Sequence, residues 1–165
     1  MSDAPFETRS YRYQTPTFTP RDASGMSGLE FLQALLRGEF PAPPITATLD
    51  YRVTHAEHGF VVAEGTPGAW AYNPIGSVHG GYAATLLDTV VACAVHSTLP
   101  AGASYTTLEL KLNYTRPLLA STGLVRAEGR VIHVGSRVAT AEGKLMSPGS
   151  GKLYAHATTT CLILS

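Results

Sequence analysis

Between Asn73 and Asp88 the chain reads NPIGSVHGGYAATLLD. A Pro/Gly turn leads through His79, Gly80 and Gly81 into an apolar segment that holds one carboxylate, Asp88. Glycines at a helix start let a ligand approach bare backbone N–H groups. Amides of a first helical turn lack intrahelical acceptors. The Gly80 N–H, with Gly81 beside it, could therefore bind a developing oxyanion. A carboxylate inside an apolar helix is paired, protonated or reactive. Asp88 could take a proton from water or attack a carbonyl itself. Asn73 could hold a water or the carbonyl by its amide. Thr107, on a following strand, could orient that water or Asp88. Together these residue types describe acyl transfer. Each also has a structural reading: a tight Gly-Gly turn, an N-cap-like His79, an Asp88 bonded to Thr85 or Thr107, an Asn-Pro turn, an ordinary strand threonine.

The elements that carry these residues constrain how they cooperate. His79 and Asp88 are nine residues apart on one helix, roughly 13 Å along its axis and about half a turn around it. They cannot meet on one carbonyl within one chain. A twofold axis beside antiparallel central helices would bring His79 of one copy near Asp88 of another. The catalytic reading thus requires a dimer with two composite sites.

The rest of the chain supplies a frame for that helix. Residues 1–24 read as a flexible arm, and 25–165 as one domain. A short helix is expected from Gly28 to about Arg37, with Leu29, Leu32, Leu35 and Leu36 on one stripe. Alternating runs predict strands over Ile45–Thr54 and Gly59–Gly65. The central helix should run from about His79 to Ser97, apolar around most of its circumference and so buried. Four more strands follow, over Tyr105–Arg116, Gly123–Val134, Ser136–Ser147 and Lys152–Leu164, as an antiparallel meander. On the first, Leu108, Leu110, Leu112 and Tyr114 are expected on one face and Thr107 on the other. The fold class is α+β: an antiparallel sheet of about six strands wrapped around one long helix.

Composition excludes several classes. With 44% apolar and 15% charged residues the chain is globular rather than disordered. Lys+Arg and Asp+Glu balance at 12 each, without the basic excess of a nucleic-acid partner. The N-terminal MSDAPFETRS has no apolar core, so no secretory signal is expected. The segment Tyr82–Val95 is interrupted by Asp88 and too short for a membrane span. Cys93 and Cys161 read as buried thiols, which fits a reducing compartment, and with no signal and no span the protein is expected to be soluble and cytoplasmic. The six histidines show no metal-ligand spacing, and no metal is expected. No G-x-S-x-G elbow is present.

The Asn73, Gly76, His79, Gly80, Gly81, Asp88 pattern closely resembles the signature of hotdog-fold acyl-CoA thioesterases, in the phenylacetate-pathway branch. The likeness extends less sharply over about residues 28–164. The run TTLELKLNYTRPL resembles the family's strand after the helix and puts Thr107 where relatives carry Ser or Thr. The resemblance implies a hotdog dimer, often a dimer of dimers, and hydrolysis of an acyl-CoA thioester. Coenzyme A would enter as part of the substrate, with no separate cofactor. The family's roles would make Asp88 the base or nucleophile and the Gly80 amide the carbonyl donor. Asn73 and His79 would position water and carbonyl, and Thr107 would support the acid. Asp88 and Thr107 would come from one subunit, with Asn73, His79 and Gly80 from the other. The turn at Ser136 and Arg137 is similar to a segment that contacts CoA in relatives. Two alternatives remain open: an enoyl-thioester hydratase or dehydratase, and a non-catalytic acyl-CoA binding domain. The acyl pocket is expected near Leu87, Val91 and the short helix Leu29–Leu36.

Overall fold

A computed structural model describes residues 5–15 and 25–164 of the chain. The rest of the expected N-terminal arm lies outside the described residues. In chain order the elements are α1 (Gly28–Leu36), α2 (Pro44–Leu49), β1 (Tyr51–Glu57), β2 (Phe60–Gly65), α3 (Gly80–His96), β3 (Ser104–Tyr114), β4 (Val125–Val134), β5 (Val138–Met146) and β6 (Leu153–Leu164). The six strands form one antiparallel sheet in the order β1-β2-β4-β5-β6-β3. The sheet curls around α3, as the alternation of apolar strands and one apolar helix requires.

Two expectations about strand bounds and order need correction. The strand predicted over 45–54 is divided. Pro44, at the first helical position, starts α2, and Asp50 ends it in a left-handed conformation at φ 53°. Only from Tyr51 is the chain extended. The last four strands are also not a simple meander. β3 pairs with β6 rather than β4 and lies at the sheet edge. The segment between β3 and β4 passes the start of α3, where the Leu118 carbonyl accepts the Val78 N–H at 2.9 Å.

Helix α3 is the core. Leu86, Leu87, Val90, Val91, Ala94 and Val95 are fully buried and face strands rich in Ala and Val. At about 25 cal/mol per Å² of apolar surface, this face supplies most of what fixes the helix to the sheet. The close fit has a backbone cause. A Cβ at Gly129 in β4 would lie 2.3 Å from the Val90 carbonyl oxygen. A helix apolar all round was expected, yet one stripe is left uncovered by the sheet: Gly81, Ala84, Thr85, Asp88 and Thr89 are only half-buried. Helix α1 covers the continuation of this stripe. It starts from a Ser27–Glu30 capping box, and its Phe31 ring packs on His96 at 5.7 Å between centroids.

A β-bulge at Leu108 decides the facing of β3. Thr107 pairs with Cys161, and the next pair is Glu109 with Thr160. The extra residue throws Leu108 outward, at 58% exposure, and inverts the alternation. Thr107 therefore shares the helix-facing side with Tyr105 and Leu110, opposite to the face that strict alternation predicted. The Thr159 hydroxyl donates to the Glu109 carbonyl at 2.6 Å, satisfying an acceptor of the bulge.

Gly129→Ala is expected to cost about 3 kcal/mol through this helix–strand contact. For a domain of this size Tm should fall by about 6–12 °C, measured by thermal unfolding; an unchanged Tm would refute the close approach.

Candidate active site

The predicted residues gather in two places rather than one. His79, Gly80 and Asn73 border a cavity of about 430 Å³ at the start of α3. Asp88 and Thr107 border another, of about 650 Å³, between α3, α1 and β3. No residue lines both. The separation follows from helix geometry, since His79 precedes the first turn and Asp88 lies in the middle of α3.

At the first place, His79 is the N-cap of α3, and its Nδ1 accepts the Gly81 N–H at 2.9 Å. Accepting at Nδ1 fixes the neutral ring as the tautomer with its proton on Nε2, a donor. The Gly81 amide, expected to serve a ligand, is thus engaged by His79. The Gly80 N–H donates to no acceptor among the described residues. It stands at the positive end of a 17-residue helix. A Cβ on Gly80 would lie 2.9 Å from Tyr114 Cζ, and the Tyr114 hydroxyl donates to the Gly80 carbonyl at 3.1 Å. Tyr114 went unnoticed as a site residue in the sequence. Its signal was only an aromatic residue at the end of β3.

Asn73 organises the turn before the helix. Its Oδ1 accepts the Ile75 N–H at 3.1 Å, and its Nδ2 donates to Ser77 Oγ at 3.3 Å. This is the turn-forming role that Asn-Pro also suggested, and it leaves one amide N–H for other use.

At the second place, burial raises the Asp88 carboxyl above the usual aspartate range, and a hydrogen bond with Thr107 opposes the shift. The bulge at Leu108 is what turns Thr107 toward Asp88. Neighbouring Thr89 is tied to the Tyr51 hydroxyl at 3.0 Å. Cys93 also faces this cavity. Burial, with a lesser push from the Asp88 charge, takes its thiol up to about 12, so it stays protonated and is no nucleophile at neutral pH. Both cysteines are free. Leu87 and Val91, expected to line an acyl pocket, are wholly buried against the sheet; Leu32, Leu35 and Leu36 of α1 do line the Asp88 cavity.

Ser136 and Arg137 are exposed on the β4–β5 turn and border neither cavity. The Arg137 carbonyl accepts the Ile163 N–H at 2.9 Å. In the sheet, Ala139 stands beside Cys161, and Cys161 beside Thr107. The turn is thus at the Thr107 end of the sheet, two strands away. Among the described residues no three His, Cys, Asp or Glu side chains are grouped to hold a metal ion. Nor is any helix long and apolar enough to cross a membrane.

Residues 75–154 match the thioesterase superfamily. A phenylacetic acid degradation-related protein of Ralstonia eutropha JMP134 is 36% identical, over 80% of this chain and 98% of that one, with a TM-score of 0.72. The chain belongs to the hotdog thioesterase family, in its PaaI-like branch. A mutant of the phenylacetic acid degradation protein PaaI from Thermus thermophilus is 30% identical, over 73% of this chain and 98% of that one, with a TM-score of 0.65. A Halobacterium salinarum protein bearing the name of an esterase is 43% identical over 75 residues, 44% of this thioesterase and 48% of that protein. The chain thus spans about half the length of that curated relative.

The raised Asp88 carboxyl has a consequence for stability. The folded protein holds this proton to higher pH than the unfolded chain does. The associated stabilisation is complete below the unfolded value and is lost as pH rises through the folded one. Asp88→Asn should therefore show a higher Tm than wild type at pH 8, with the gap closing in acid. Thermal melts across pH test this; an Asp88→Asn protein less stable than wild type at pH 8 would contradict it.

Proposed function

We propose that the protein hydrolyses acyl-CoA thioesters at a site shared by two copies of the chain. The observation that carries this reading is the division of the chemistry. An unengaged Gly80 amide and the His79 Nε2–H stand in one cavity, and Asp88 with Thr107 in another. Two further features favour the pairing. The α3 stripe holding Gly81, Ala84, Thr85 and Asp88 is half-buried and made of small side chains, so a second α3 can approach closely. Strand β3 is an edge strand of 11 residues, and a long open edge is a ready surface for a second copy.

In this reading the thioester carbonyl accepts hydrogen bonds from the Gly80 N–H and His79 of one copy. Asp88 of the other copy takes a proton from water as its oxygen attacks the carbonyl carbon. The tetrahedral oxyanion then collapses, the C–S bond breaks, and CoA leaves as a thiolate that takes up a proton. Thr107 holds the Asp88 carboxylate in place. Tyr114 and Gly80 fix the turn of backbone that presents the amide. Asn73 sets the loop before His79, and its second amide N–H is available to the carbonyl or the water. A raised Asp88 suits a general base, since basicity rises with pKa. Contacts of the exposed Ser136–Arg137 turn with the CoA moiety are part of the proposal. So are a dimer of dimers and a cytoplasmic location, for which the two free thiols are the support.

Asp88→Asn should lower thiol release from acyl-CoA by about 10²–10⁴-fold while the protein stays associated. The assay couples free thiol to a chromogenic disulfide, beside size-exclusion chromatography. Retention of more than about a tenth of wild-type turnover in this isosteric variant would be too small a loss for a general base and would exclude the mechanism.

A further inference from the structure

The cavity at Asp88 does not end there. A second chamber, of about 380 Å³, continues from it toward the C-terminus of α3. The two share Leu32, Leu35, Ala42, Pro43, Cys93 and Tyr105 as a common neck. One side of α3 floors both: Asp88 and Ala92 in the first, His96 in the second and Cys93 in each, with Asp88–Ala92 four apart and Cys93–His96 three apart. Aromatic rings close the far end. Phe31 stands 5.4 Å from Phe40 and 5.7 Å from His96, and His96 stands 5.3 Å from Tyr105, between ring centroids. Gln14 of the N-terminal arm borders the same end. Burial lowers the His96 imidazole below its usual range, so this end carries no charge at neutral pH.

Resting on the thioesterase reading above, we propose that this chamber receives an unbranched medium-chain acyl group, and that Cys93 sets the width of the neck it must pass. A thioester carbonyl held at Asp88 leaves its CoA side toward the open cavity and its acyl side toward the neck. A ring-bearing acyl group such as phenylacetyl would be accommodated in the outer cavity and would leave the inner chamber unfilled. A straight chain extends from the outer cavity through the neck into the inner one. Two leucines of α1, Leu32 and Leu35, face the neck, and the small Cys93 and Ala42 stand with them.

The test is thiol release by the full-length protein from acetyl-, butanoyl-, hexanoyl-, octanoyl- and phenylacetyl-CoA. The kcat/KM is expected to rise roughly fourfold per added methylene, equivalent to the about 0.8 kcal/mol of burying one CH₂. Octanoyl-CoA should then exceed phenylacetyl-CoA. Cys93→Leu should cut the octanoyl-to-butanoyl ratio at least about tenfold, which is the loss of roughly two buried methylenes. Ala42→Leu narrows the same neck from an exposed loop, where folding is little at risk, and should move the ratio the same way. Release that peaks at butanoyl or phenylacetyl, or a ratio unmoved by both variants, would overturn the chain-length proposal alone. No release from any member would overturn the thioesterase reading beneath it.

Discussion

Helix α3 carries both groups of candidate site residues, and its own rigidity keeps them apart. His79 caps the helix, and Asp88 follows nine residues later on a segment pinned by fully buried Leu86, Leu87, Val90 and Val91. A helix locked on its sheet cannot bend to bring its first amide and its middle carboxylate to one carbonyl. Much else in the chain answers to this. The start of α3 stays free of a side chain at Gly80. Its one uncovered stripe consists of small residues. The carboxylate sits where that stripe meets the cavity under α1. In the proposed reaction a second copy completes each half.

The same helix places two demands in tension. Its core face wants uniform apolar packing, and the close approach at Gly129 leaves no slack there. Its open stripe holds an acid whose burial disfavours the charged form. Thr107 relieves this in part, and reaches Asp88 only because the Leu108 bulge turns it inward. A local irregularity in an edge strand thus tunes the carboxyl proposed as the base. Functional sites often sit where sequence economy and stability disagree.

Much of this was legible from residues alone. The long helix, its limits and five of the six strands were marked by apolar period and Gly/Pro punctuation. The Asn73–Asp88 pattern named residues that border two cavities, and helix geometry placed His79 and Asp88 on opposite faces, well apart. What escaped has identifiable causes. Helix α2 has β-branched residues that read as strand, and only Pro44 and a left-handed Asp50 reverse that reading. A bulge cannot be seen in an alternating pattern, so Thr107 was placed on the wrong face. The pairing of β3 with β6 depends on a crossover past α3 that no local signal encodes. Tyr114 touches Gly80 across 34 positions of sequence, and His79 engages Gly81 through a ring orientation that only coordinates reveal.

The central claim is that each site draws His79 and Gly80 from one copy and Asp88 from another. Co-expression of two differently tagged chains, one carrying Asp88→Asn and the other His79→Ala, addresses it most directly. Every chain in the mixture lacks one half of the chemistry. In a twofold composite arrangement, each mixed dimer rebuilds one intact site out of two, so random assembly should restore about a quarter of wild-type thiol release. The tag-purified mixed dimer should reach about half. Activity of the mixed dimer no higher than the mean of the two parent variants would mean that the halves belong to one chain, and would contradict the account.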